Sequence, residues 1–210
     1  MKILDLTHTI EADMPVYPGT EGPKINPICT MEKNGFREAY LEFYSHTGTH
    51  IDAPGHMIDT GQFLDDYDLD QFVGSALVLE PLFNLLDEAY LKQYDQVIDQ
   101  VDFVLIKTNW ADKWGTPAYF KGFPSLTEDG ARYLAGKKLK GFGIDAISVD
   151  PISSKLFINH TILLGQKMIL IENLDLRGVD HLDMFLLSVL PLKTKKADGS
   201  PVRATAIYSL

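Results

Sequence analysis

Three of the six histidines in the chain, His46, His50 and His56, fall within one short segment that also contains Asp52. The glycines, prolines and threonines of this segment disfavour a helix, so the chain here is predicted to be extended or looped. Side chains at even offsets of an extended chain point to the same face, which would bring these four residues together. Imidazole nitrogens and carboxylate oxygens are ligands that zinc and manganese accept in proteins. The segment therefore predicts a divalent metal site.

Two residues far along the chain could complete this site. Glu172 ends the apolar run 168–171, and an ionised carboxylate beside a buried strand is costly unless it is paired or binds a cation. Glu172 is therefore a candidate ligand, and the alternative is a strand end that points to water. His160 follows Asn159 in a short polar interval, where it is either a further ligand or an ordinary hydrogen-bonded histidine.

The chemistry of such a site is hydrolytic. A divalent cation with an open coordination position lowers the pKa of bound water from about 15.7 toward 7, which makes hydroxide available at neutral pH. Hydroxide could then attack an amide carbonyl while a histidine protonates the departing amine. The alternative of another class is a closed, structural metal in a homo-oligomeric binding protein. Closed zinc sites prefer cysteine, and the chain contains only Cys29.

The elements that must position these residues can be predicted from hydrophobic patterning. Short runs rich in Val, Ile, Leu, Phe or Tyr predict strands at residues 2–6, 39–44, 76–79, 103–107, 141–147, 168–172 and 202–208. Helices are predicted at 85–94, at 127–135 with Thr127 as the N-cap, and over part of 179–190, ended by Pro191. Because strands outnumber helices and do not alternate strictly with them, the pattern favours an α/β domain with one mixed sheet.

Composition excludes several classes of function. The 210 residues are 45% hydrophobic and show no linker, so residues 1–210 are predicted to form a single domain. A formal charge of −10 opposes binding to nucleic acid or to anionic lipid, which leaves a small molecule as the expected partner. The longest stretch without a charged side chain, 156–166, is shorter than the roughly 18 apolar residues that cross a bilayer. With a single cysteine and no visible secretory signal, a cytoplasmic location is predicted.

The segment 46–56, which reads His-Thr-Gly-Thr-His-Ile-Asp-Ala-Pro-Gly-His, resembles the HxGTHxDxPxH signature of the metal-dependent cyclase family. The best-known members are the bacterial kynurenine formamidases (arylformamidases), and isatin hydrolase is a relative. The resemblance extends over nearly the whole chain, through residues 5–8, 15–19, 143–148, 160–173 and 199–204. It implies a swivelling β/β/α-type fold, assembled as a homodimer or a higher homo-oligomer.

The resemblance also implies a metal centre. The ligands it implies are His46, His50, Asp52, His160 and Glu172. The first three would bind one metal, and Asp52 and Glu172 would bridge to a second that His160 also holds. His56 would be the catalytic proton donor and acceptor. The formamidases use two zinc ions and isatin hydrolase a single manganese, so one or two ions are expected, Zn²⁺ first and Mn²⁺ as the alternative.

The substrate implied by the resemblance is N-formylkynurenine or a similar N-formyl arylamine, cleaved to formate and the free amine. The alternative is an isatin hydrolase-like reaction on another cyclic amide or a lactone. The formamidases carry a Trp-Pro-Gly-Asp stretch, whereas this chain reads Tyr17-Pro18-Gly19-Thr20. Tyr17 is the residue expected to contact the substrate. Asp145 and Arg203 also lie in segments that resemble the family, and these two residues could form an ion pair with a purely structural role.

Overall fold

Strands dominate the computed structural model, which describes residues 1–81 and 85–208. The strands are β1 (Lys2–Asp5), β2 (Lys24–Cys29), β3 (Glu38–Glu42), β4 (His50–Asp52), β5 (Val73–Leu79), β6 (Leu85–Leu86), β7 (Phe103–Ile106), β8 (Ser125–Leu126), β9 (Gly141–Ile144), β10 (Ile169–Glu172), β11 (Met184–Ser188), β12 (Gly199–Pro201) and β13 (Thr205–Tyr208). The helices are α1 (Met31–Asn34), α2 (Glu88–Lys92), α3 (Asp95–Ile98), α4 (Glu128–Ala135) and α5 (Ile158–Leu164). In these described ranges, no helix has the length and apolar character needed to cross a membrane.

Nine of the described strands form one mixed sheet in the order β1-β13-β11-β5-β7-β9-β10-β4-β12. Strands β5, β7, β9 and β10 run parallel to one another, and the strands added at both ends run antiparallel. The residues of β7, β9 and β10 are all buried, as expected for parallel strands that are covered on both faces. The predicted α/β fold with one mixed sheet is confirmed.

Two hydrophobic cores cover the two faces of the sheet. Because strand side chains alternate between faces, Leu77 and Leu79 of β5 join the core that contains residues of α2, α4 and α5. Ala76 and Val78 join the second core, which lies on the opposite face. Leu105 of β7 also belongs to this second core and is fully buried. The central strands are thus held from both sides, and their carboxyl ends are fixed in position.

Most of the predicted strands are confirmed, and so is α4, where the Thr127 hydroxyl accepts a hydrogen bond from the Gly130 amide. The helix predicted over part of 179–190 is wrong. The chain there forms β11, which pairs with β5 and β13. Its buried Phe185 and Leu187 alternate with exposed neighbours, as in a strand with one face in the core. In the sequence this alternation is hard to see, because the exposed positions are also apolar. The predicted helix at 85–94 begins as β6 and continues as α2.

Strands β2 and β3 form a separate hairpin that pairs with no other described strand. Ile25 lies opposite Leu41 and Pro27 opposite Ala39, so these four apolar residues share one side of the hairpin. We call this side the hairpin face. All four residues are exposed, with Leu41 55% accessible. A two-stranded hairpin is marginally stable alone in water, so the hairpin face is an apolar surface without cover in the described chain.

Replacing Leu105 with alanine tests the assignment of β7 to the centre of the sheet. The Leu105→Ala variant is expected to lose about 2–5 kcal/mol of unfolding free energy, because the side chain is fully buried and leaves a cavity. Urea denaturation measures this loss. Leu69→Ala is the matched control, because Leu69 is 71% exposed and should change stability by no more than about 0.5 kcal/mol. Equal stabilities for the two variants would contradict the assignment.

Candidate metal centre

Strand β4 brings two of the predicted ligands next to Glu172. It pairs antiparallel with β10, so that His50 lies directly opposite Glu172, and Asp52 follows two residues later on the same face. The His50 Nε2 atom is 3.3 Å from Asp52 Oδ1 and 3.7 Å from Glu172 Oε2. Ligand atoms of these three residues all lie within 4.8 Å of one another. His50 and Glu172, far apart in the chain, therefore meet through one cross-strand pair.

Helix α5 adds His160 to this group. The His160 Nε2 atom is 3.2 Å from Glu172 Oε1 and 3.7 Å from Asp52 Oδ2. Asp150 fixes the start of the helix, because its carboxylate accepts hydrogen bonds from the backbone amides of Asn159 and His160. The sequence did not predict this helix, although it did single out His160.

His46 approaches Asp52 from the other side. Its Nδ1 atom is 2.6 Å from Asp52 Oδ1. The chain bends at Gly48, which has a φ of 63° that favours glycine. Strand β12 leaves room for the imidazole because it carries Gly199 opposite Asp52, where an added Cβ would lie 2.5 Å from the ring. His46 thus joins the group through a loop, and His50 and Asp52 through the extended strand β4, as expected for an extended or looped segment.

The second nitrogen of each of these three imidazoles faces a hydrogen-bond acceptor. His50 Nδ1 donates to the Gly48 carbonyl oxygen at 2.8 Å. His160 Nδ1 donates to Asp150 at 2.6 Å, and His46 Nε2 lies 3.1 Å from Asp198. A proton fixed on one nitrogen leaves the lone pair of the other free to bind a cation. Each imidazole therefore directs its free nitrogen toward the carboxylates.

The charges of this cluster suit a cation. Asp52 and Glu172 are 1% and 5% exposed, and within 4.0 Å they face imidazoles but no Lys or Arg side chain in the described part of the chain. Burial raises the pKa of Asp52, but the facing imidazoles outweigh this effect and hold that pKa well below its usual range. Two buried carboxylates with three imidazoles are an oxygen and nitrogen donor set that fits a divalent metal.

The imidazoles respond to the same charges. Burial lowers the pKa of His46, but the Asp52 carboxylate outweighs this effect and raises the pKa to about 9. Burial likewise opposes the protonation of His160, while its contacts with Asp150 and Glu172 raise its pKa to about 10. Without a cation, protons on these imidazoles balance the carboxylates. A metal ion that binds here must displace them.

A cavity of about 310 Å³ opens onto the cluster. His46, His50 and His160 line its floor, and Tyr17, Ile147 and Phe157 belong to its walls. The aromatic ring of Tyr17 is half-buried there, and burial together with the charges of nearby carboxylates raises the pKa of its hydroxyl. The structure thus places the predicted substrate contact beside the predicted metal site.

His56 also lines this cavity, on the short 3-10 turn Pro54–His56. Its ring centroid is 4.0 Å from that of His46, and its Nδ1 atom is 3.7 Å from Asp198 Oδ2. Ligand atoms of His46, Asp52 and His56 form a second group within 4.8 Å. With about a quarter of its side chain exposed, His56 is more accessible than His160 and faces the space that a substrate would occupy.

The structure brings together all seven residues that the sequence analysis proposed for the site: Tyr17, His46, His50, Asp52, His56, His160 and Glu172. It adds Asp150 and Asp198, for which the sequence contains no local signal because each contacts its histidine only in the folded chain. The suggested ion pair between Asp145 and Arg203 is wrong. Buried Asp145 accepts hydrogen bonds from the turn after β7, and Arg203 pairs with Asp5.

Comparisons with known proteins show what the chain is similar to. The family model named Cyclase matches residues 4–151 of the chain. A kynurenine formamidase from Bacillus cytotoxicus is 30% identical, and the similarity covers 96% of this chain and 95% of that protein.

Two solved structures extend the comparison. A structure described as a potential metal-dependent hydrolase with cyclase activity is 31% identical and matches with a TM-score of 0.83 over 98% of this chain and 96% of its own. An isatin hydrolase bound to the product analogue thioisatinate is 23% identical and matches with a TM-score of 0.87 over 98% of this chain and 91% of its own. The second likeness shows a shared fold, as the resemblance in the sequence implied.

Zinc or manganese ions are expected to raise the melting temperature of the protein, and EDTA is expected to reverse the rise. A ligand that binds only the folded state stabilises it by about 2.7 kcal/mol at 100 times its Kd. The Asp52→Asn variant should lose most of this metal-dependent shift, because Asp52 lies at the centre of the cluster. Asp70→Asn, which changes an exposed acidic residue, should retain it. Equal shifts in the two variants, measured by calorimetry, would exclude the cluster as the binding site.

Proposed function

The chain belongs to the cyclase family, and from that membership we propose that it is an arylformamidase. The proposed reaction cleaves N-formylkynurenine or a similar N-formyl arylamine to formate and the free amine. One observation carries this proposal: a buried cluster of imidazoles and carboxylates lies at the floor of a cavity with aromatic and apolar walls. The kynurenine formamidase relative supports hydrolysis of a carbon–nitrogen bond.

The proposed metal ligands divide into two groups, one on each side of Asp52. His46, His50 and Asp52 would hold one divalent ion, and Asp52 would share a second ion with His160 and Glu172. Zinc is the proposed metal, with manganese as the alternative, because both accept nitrogen and carboxylate ligands. A bound cation supplies Lewis-acid chemistry, which lowers the pKa of bound water and stabilises negative charge on a carbonyl oxygen.

His56 is the proposed proton carrier. Burial lowers its pKa, so the imidazole is neutral near pH 7 and can accept a proton from the attacking water. As the oxygen of that water bonds to the carbonyl carbon and the carbon–nitrogen bond breaks, His56 returns the proton to the departing nitrogen. Asp198, 3.7 Å from Nδ1, favours the charged imidazole that exists between these two transfers.

Tyr17 is the proposed contact for the aryl group of the substrate. Its ring lies in the cavity wall together with Phe157 and Ile147, and aromatic rings pack favourably against one another. Thr20, which also lines the cavity, stands where the formamidases carry an acid. This difference favours a second candidate, an uncharged cyclic amide or lactone that would react as in isatin hydrolase.

The assembly belongs to the same proposal. We infer that residues 1–210 act as one hydrolase domain that works in the cytoplasm as a homodimer or a higher homo-oligomer. The hairpin face supports this inference, because an exposed apolar surface of this kind is typical of a contact between proteins. A second copy of the chain is the partner we expect on it.

Activity assays with N-formyl arylamines test the proposed reaction. Wild-type protein loaded with zinc should release formate, and EDTA should abolish the release. His56→Ala should lower kcat by about 10²–10⁴, because general acid–base catalysis contributes that factor. His181→Ala, which removes an exposed histidine outside the cluster, should leave kcat unchanged. Formate release that survives EDTA would exclude a metal-dependent reaction, and hydrolysis of cyclic amides alone would favour the second candidate.

Substitution on the hairpin face tests the assembly. The Ile25→Lys/Leu41→Lys double variant should convert the oligomer to a monomer, because it introduces charge into the apolar contact. Light scattering on purified protein measures the mass. Lys24→Gln changes the opposite side of the hairpin, where Lys24 pairs with Glu42, and should leave the assembly intact. A wild-type protein that is monomeric at micromolar concentration would contradict the inference.

A further inference from the structure

Asn173 connects the two chain segments that form the metal centre. It follows Glu172 directly, is 4% exposed and has a φ of 56°, in the left-handed region that asparagine tolerates better than most residues. Its side-chain Nδ2 donates to the Gly48 carbonyl oxygen at 2.9 Å. Its own carbonyl oxygen accepts from the Thr49 hydroxyl at 2.6 Å. One residue at the end of β10 thus holds the turn that precedes His50.

Tyr119 holds the Asn173 amide in place. The buried Tyr119 hydroxyl donates to Asn173 Oδ1 at 2.8 Å. Burial raises the pKa of this phenol well above its usual value, so the hydroxyl keeps its proton and acts as the donor. The Gly48 carbonyl oxygen can only accept, so the amide must present its NH₂ group to Gly48, and Oδ1 is left to accept from Tyr119. Trp110 fixes this tyrosine in turn, because its indole Nε1 donates to the Tyr119 carbonyl oxygen at 2.7 Å.

The Gly48 carbonyl oxygen accepts two hydrogen bonds, one from Asn173 Nδ2 and one from His50 Nδ1 at 2.8 Å. A backbone carbonyl has two lone pairs, and both are used here. Because the oxygen is held in place and cannot donate, the facing nitrogen of His50 must carry the proton. The other nitrogen, Nε2, then presents its lone pair to Asp52 and Glu172.

We propose that Tyr119 and Asn173 are positioning residues that act through the Gly48 carbonyl to hold His50 in the orientation and tautomer that bind the metal. This inference rests on the proposed metal site. Neither residue needs to touch the cation. Hydrogen-bond partners of metal-binding side chains commonly contribute 10–100-fold to metal affinity, and that range is the effect we expect from the loss of Asn173.

Zinc affinity measured by competition with a chromophoric chelator tests the inference. Asn173→Ala should bind Zn²⁺ about 10–100-fold more weakly than the wild type. Tyr119→Phe, which removes a single hydroxyl, should weaken binding about 10-fold. Because Tyr119 acts only through Asn173, the double variant should bind no more weakly than Asn173→Ala alone. Tyr208→Phe is the matched control: it loses a hydrogen bond to Asp183, outside the metal centre, and should bind Zn²⁺ like the wild type.

The outcomes separate this inference from the metal site itself. Wild-type protein that binds no zinc would exclude the metal site and the inference with it. Tight wild-type binding that both Tyr119→Phe and Asn173→Ala retain would overturn the inference and leave the metal site standing. Fully additive losses in the double variant would also overturn it, because Tyr119 would then act independently of Asn173. If circular dichroism shows that Asn173→Ala is unfolded, the comparison of Tyr119→Phe with Tyr208→Phe decides alone.

Discussion

Two carboxylates, Asp52 and Glu172, are buried side by side, and no Lys or Arg side chain pairs with them in the described part of the molecule. Burial of ionised groups is costly unless opposite charge compensates them. The surrounding imidazoles can compensate in two ways, by carrying protons or by sharing a cation with the carboxylates. The orientation of each ring toward the carboxylates and the fit of the cluster to a divalent ion both follow from this one electrostatic constraint.

The sheet satisfies this constraint through the position of β4. This short strand lies between β10 and β12, so Glu172 pairs with one edge of it and Gly199 with the other. A bulkier residue than glycine on the β12 side would displace the His46 ring. On the β10 side, His50 lies directly opposite Glu172, so each of the two strands contributes one proposed ligand. The rigid parallel strands beside β10 then hold this arrangement, because their two faces are both packed.

The segment 46–56 made the site predictable because its chemistry is local in the sequence, and alternation along an extended chain correctly placed His50 and Asp52 on one face. His46 and His56 reach the cluster through turns at Gly48 and Pro54, which alternation does not describe. Asp150, Asp198 and Asn173 were not predicted, because each contacts its histidine or carbonyl only after distant segments pack. The error at β11 has another origin: closely spaced leucines obscure its alternation of buried and exposed residues, which becomes visible once the strand pairs with β5 and β13.

Most of the residues proposed to bind the cation are more deeply buried than His56, the proposed proton carrier, and the exception is His46, whose side chain is 24% exposed. His50, His160, Asp52 and Glu172 are almost fully buried, and their hydrogen bonds hold them in one arrangement. The side chains of His56 and Asp198 are about one quarter and two fifths exposed. A group that gives up and recovers a proton in each turnover must exchange with solvent or substrate, whereas a ligand is most effective when its geometry does not change. The exposed edge of the cluster therefore suits the proton transfer proposed for His56, and the buried side suits the proposed cation, which His46 would reach from the edge.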